Sequence, residues 1–128
     1  MERRVKTSFF KKFIYALRGL FVSLKEEPSL IFHFFAAIIV LIIGGILNEQ
    51  MQIFDWIILV LIIGIMVTLE LINTAIENIS DMVSFKYNKS SRKIKDIAAA
   101  ATLLFSLTAL TIGLLIFIPK IIFIAKGS

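Results

Sequence analysis

With 128 residues, 59% of them hydrophobic, and a mean hydropathy of +0.94, the chain is too apolar for an ordinary soluble domain. Cysteine is absent, which excludes a disulfide framework, a thiolate nucleophile and a thiolate metal site. The net charge of +5 does not imply nucleic acid, because the basic residues lie beside apolar blocks, where they suit anionic lipid headgroups.

Residues 1–6 are polar and basic, and charged residues persist to Lys25, so no cleavable signal peptide is expected. From Thr7 or Ser8, either a suitable cap, a helical pattern runs to residue 25. Phe9, Phe10, Phe13, Ile14, Leu17, Leu20, Phe21 and Leu24 fall on one side, with Lys11, Lys12, Tyr15 and Arg18 on the other. This pattern predicts a helix lying on a membrane surface, although a helix packed on a partner protein would share it. Glu27-Pro28 interrupts the pattern, since proline disfavours helix before it but suits a first turn.

A first span is expected over residues 29–47, with His33 its conspicuous polar side chain. A link carrying Glu49 and Asp55 but no basic residue leads to Trp56, a type favoured at the membrane interface. The second span is expected over 54–85, surfacing near Ala75 and continuing as a polar extension. A basic turn from Lys86 to Lys95 follows, then a third span over 96–119 that ends at Pro119-Lys120. Ala98 to Ala101 and Thr102 are small enough for close helix packing. The whole reads as a single all-α integral-membrane domain, residues 1–128: an amphipathic surface helix plus three transmembrane helices.

The second span carries the chemistry. In Glu70-Leu-Ile-Asn-Thr-Ala-Ile-Glu77-Asn-Ile-Ser-Asp81, the residues Glu70, Asn73, Glu77 and Asp81 fall within about 80° of one another on a helix. Ionisable groups within a span are costly and mark function by default. Seven basic residues precede the first span and five lie between the second and third, so the positive-inside rule puts both segments in the cytoplasm. Glu27, Glu77, Asp81, Lys95 and Asp96 then meet at one leaflet, with Glu70 about 7 Å below the interface. Carboxylates without histidine or cysteine partners suit a hard cation such as Mg2+, shared with phosphate oxygens. A metal–nucleotide site above a deeper carboxylate is the layout needed to phosphorylate a lipid alcohol. No Gly-x-x-x-x-Gly-Lys-Ser/Thr loop, Gly-x-Gly-x-x-Gly loop or Asp-Phe-Gly motif is present, so a kinase here must be of unrelated design.

That central motif, with Lys95-Asp96 fourteen residues on, resembles the small integral-membrane prokaryotic diacylglycerol kinase family. The likeness extends to Phe10-Lys-Lys-Phe-Ile-Tyr-Ala-Leu-Arg-Gly-Leu20, to Glu27 with His33 six residues later, and to the closing Phe-Ile-Pro119. It implies a homotrimer with active sites shared between subunits, in the bacterial plasma membrane, with N-terminus and site cytoplasmic. It implies Glu70 as catalytic base, Glu27 and Glu77 as metal ligands on magnesium–ATP, and Asn73, Lys95 and Asp96 on the nucleotide phosphates. Tyr15 and Asp81 match positions near the nucleotide, and Lys86, Tyr87 and Asn88 match a covering loop. Asn88 stands where other members carry histidine, Ala99 replaces a serine, and Ser8 replaces a basic residue for which Lys11 or Lys12 could substitute. His33 and the Phe13, Ala16, Gly19 pattern resemble the Gram-positive branch, mainly undecaprenol kinases, although Pro28-Ser29 departs from its usual arginine-asparagine pair. Undecaprenol is therefore the expected acceptor, with diacylglycerol the alternative.

Each residue also has a plainer role open to it. Glu70 could be a structural carboxylate between helices, Asn73 interhelical glue, His33 a satisfied interhelical histidine, Glu77 and Asp81 a solvated helix end, and Asp96 an N-terminal charge. A small proton or cation transporter using Glu70 is the reading from another class, and an adaptor whose acids fix an oligomer is a third.

Overall fold

The computed structural model describes residues 8–83 and 89–127; the expected loop residues Lys86, Tyr87 and Asn88 lie outside them. Among the described residues all long elements are helical: α1 (Phe9–Glu26), α2 (Pro28–Ile46), α3 (Ile53–Val83) and α4 (Lys89–Gly127). Ser8 caps α1, accepting from the Lys11 backbone N–H at 3.3 Å. The extended backbone of Glu27 separates α1 from α2, and Pro28 occupies the first turn of α2, where its missing N–H costs nothing. A 3₁₀ turn, Asn48–Gln50, leads to α3, whose entry is fixed by the Asp55 carboxylate accepting from the Gln52 N–H at 2.8 Å.

Three helices, α2, α3 and α4, are long and apolar enough to cross a membrane. Most of their large apolar side chains are exposed on the single chain, as lipid rather than water as solvent allows. The centre is α3, the most buried of the three, packed chiefly against α4 and then α2; α1 touches α2 and α3. At 31 residues α3 is about 46 Å long, against a hydrocarbon layer of about 30 Å. One end of it must therefore project into the polar region.

Leu47, Leu59, Ile116 and Phe117 form the buried apolar cluster at the end of the bundle holding Trp56. Gly44 permits this packing, because a Cβ there would stand 2.8 Å from Trp56 Cη2. The Asp55–Lys120 ion pair, 3.1 Å long and mostly shielded, ties α3 to α4 at the same end. Along the seam, Ala98 and Thr102 are buried while Ala99, Ala100 and Ala101 stay exposed, so two small residues one turn apart make the close approach. Ser106 donates to the Met66 sulfur at 3.4 Å, and Ser80 and Ser91 are hydrogen-bonded at 2.5 Å.

The chief departure from the expected bounds is α4. It starts at Lys89 rather than at Asp96, and it runs through Pro119 to Gly127 instead of stopping there. Proline removes one N–H and crowds the preceding turn, but Lys120, the next residue, is held by Asp55 of α3. That contact ties the helix to α3 immediately after the proline.

Candidate functional site

The start of α2, the far end of α3 and the start of α4 meet at the end of the bundle opposite Trp56. Glu70 lies at their junction, and only 5% of its surface is exposed. Its Oε1 is 3.0 Å from His33 Nε2 and its Oε2 accepts from Ser29 Oγ at 3.2 Å. Ser29 and His33 are four residues apart on α2, so they present two donors on one helical face. Both oxygens of a carboxylate buried among apolar helices are thereby partnered, which removes much of the penalty of placing it there.

About one turn along α3 from Glu70, Asn73 Nδ2 donates to Glu77 Oε1, a further turn on, at 3.2 Å. The other end of that amide, Asn73 Oδ1, is buried without a hydrogen-bond partner among the described residues. Glu27 caps α2 through its backbone alone, leaving its side chain out of the cap. Burial pushes its carboxyl above the ordinary carboxylate range, and repulsion from Glu77, then Glu26, then Glu70 adds to the rise. Glu77 and Glu70 of the same chain are therefore near enough for Glu27 to feel their charge.

Lys95 turns towards α3 and is bonded to Asp81. Asp96 faces another way. It pairs with Arg92 at 3.2 Å and helps line an open cleft of about 390 Å³ with Lys89, Lys93, Ile97 and Ala100. Tyr15 is exposed on α1 with the Arg18 guanidinium over its ring at 5.7 Å, so the described contacts do not join it to the acids. Ala99 contributes its carbonyl to Thr102 at 2.8 Å. No three His, Asp or Glu groups form a metal cage among the described residues.

The structure thus brings Glu27, at the start of α2, to Glu70, Asn73 and Glu77 of α3, pairs Asp81 of α3 with Lys95 of α4, and turns Asp96 aside. Ser29 was missed in the sequence. The signal was its four-residue spacing from His33 behind a helix-starting proline, but only the packing of α2 on α3 reveals what the pair faces.

The family described as prokaryotic diacylglycerol kinase matches residues 14–117. Undecaprenol kinase of Bacillus subtilis (strain 168) is 42% identical over 120 residues, covering 94% of this chain and 96% of that protein.

Proposed function

The chain belongs to the prokaryotic diacylglycerol kinase family and is a membrane lipid kinase, and we propose that its acceptor is undecaprenol, phosphorylated to undecaprenyl phosphate with ATP as donor. The likeness to undecaprenol kinase over nearly the full length of both chains carries the choice of acceptor. Diacylglycerol, giving phosphatidic acid, is the second acceptor the family allows. A transporter role for Glu70 draws no support from this membership.

Glu70 is the general base in this reading. Its carboxylate takes the proton of the lipid hydroxyl, the hydroxyl oxygen bonds to the γ-phosphorus, and the bond from that phosphorus to the β–γ bridging oxygen breaks, releasing ADP. Such a transfer needs mostly positioning and charge stabilisation. Glu27 and Glu77 would hold Mg2+, whose charge would offset that of the phosphate oxygens. Their fit rests on hard oxygen donors: burial first, and then repulsion from Glu77, Glu26 and Glu70, raise the Glu27 carboxyl, and a divalent cation would relieve the repulsion. Asn73, whose buried Oδ1 has capacity for a donor, orients the site with Lys95, while Asp96, turned away from the acids of its own chain, would act on the nucleotide of a neighbouring chain. Tyr15 and Asp81 border the nucleotide in this reading. In this reading the acidic end faces the cytoplasm of a bacterial cell, and three chains assemble with sites shared between neighbours.

The test is transfer of label from γ-labelled ATP by purified protein in detergent with magnesium. Undecaprenol should accept label better than diacylglycerol, and Glu70→Gln should reduce transfer by about a hundredfold or more. Preference for diacylglycerol would replace the acceptor, and an active Glu70→Gln enzyme would remove the base.

A further inference from the structure

We infer that His33 and Ser29 are positioning residues that fix the Glu70 carboxylate in the orientation it needs to take the hydroxyl proton, an inference that rests on reading Glu70 as the base. A glutamate has three side-chain torsions, and the last of them is broad. Burial alone does not set the plane of its carboxylate. Here two donors from a neighbouring helix set it, one on each oxygen: His33 Nε2 at 3.0 Å from Oε1, and Ser29 Oγ at 3.2 Å from Oε2. The contact requires the imidazole proton on Nε2 when the ring is neutral.

The donors are themselves held. Ser29 sits in the first turn of α2 directly after Pro28, where the backbone torsion is fixed by the ring. The imidazole is largely shielded, and the Phe32 ring stands across it at 78° with centroids 5.6 Å apart. Each carboxylate oxygen keeps a second lone-pair direction for an incoming hydroxyl. The pair therefore orients the base without occupying it.

A base must present its lone pair within hydrogen-bond reach of the proton, and small misplacements in such sites cost up to about a hundredfold in rate. Four variants test the assignment, each measured for kcat with saturating lipid, KM for ATP and thermal midpoint in detergent. His33→Leu should lower kcat about tenfold to a hundredfold with KM for ATP unchanged. His33→Gln, whose amide nitrogen reaches about as far as Nε2, should restore most of that rate. His33→Asn, equally polar but too short, should remain as slow as His33→Leu. Ser29→Ala should show a smaller kcat loss of the same kind. If His33→Leu fails to fold, the Gln–Asn comparison decides, because a merely structural role predicts that activity follows the thermal midpoint in both. Equal kcat for Gln and Asn, or a wild-type kcat for His33→Leu while Glu70→Gln is dead, would overturn the positioning role and leave the base intact. An active Glu70→Gln enzyme would instead overturn the base and this inference with it.

Discussion

Glu27 bears two opposed demands. Burial and the neighbouring Glu77, Glu26 and Glu70 raise its carboxyl above the usual range, so without a cation its ionised form weakens the fold. For an acid raised in this way, the associated stability is present below the ordinary carboxylate pKa and is lost as pH rises through the elevated one. Glu27→Gln should therefore raise the thermal midpoint of metal-free protein near neutral pH and flatten its rise on acidification. The same variant should lose magnesium-dependent transfer, since one of two proposed ligands is gone. A midpoint that falls in metal-free Glu27→Gln would mean that the carboxylate is structurally supported rather than strained. At this scale the sequence was informative about types and poor about partners. An acid seven residues before Glu77, deep in an apolar run, stands out in any reading. Which donors reach it depends on how α2 is rotated against α3, and nothing within either helix encodes that rotation.

At the scale of elements, the apolar blocks and the amphipathic run before them were legible because hydropathy and period are local properties. The end of α4 was not. Proline is a dependable stop signal only when nothing beyond it is held, and here Lys120 pairs with Asp55 on a helix about sixty residues earlier. Both side chains are mostly shielded, so removing one leaves the other short of a partner in a poorly solvated place. Lys120→Met should lower stability by about 1–3 kcal/mol, read as a shifted midpoint in denaturant titration. Lys120→Met with Asp55→Asn should recover part of the loss, because the orphaned charge is removed as well. Additive losses in the double variant would show that the two groups act independently and that α4 is kept in register by packing alone, through Ile116 and Phe117 against Leu59.

For the whole molecule, the useful fact is that one chain already gathers the acids. Glu70 takes its two partners from α2 of its own chain, Asn73 holds Glu77, and Glu27 feels the charges of Glu77 and Glu70. Yet the protomer leaves most of its large apolar surface and the Asp96 cleft uncovered, so an assembly has room to add groups from a neighbour without rebuilding the acidic cluster. This separates two kinds of subunit mixing. If each cluster is made by a single chain, combining inactive Glu27→Gln subunits with inactive Glu70→Gln subunits leaves a damaged cluster on every chain, and transfer stays near background. Combining Glu70→Gln with an inactive variant of a residue outside the cluster, such as Asp96→Asn, should restore part of the rate when sites are shared, because some interfaces then pair an intact cluster with an intact neighbour. Mixed detergent-solubilised subunits, exchanged and assayed for label transfer to undecaprenol, give both readings. Recovery in the Glu27–Glu70 mixture would place those acids on different chains in the working enzyme, and no recovery in either mixture would argue for sites complete within one protomer.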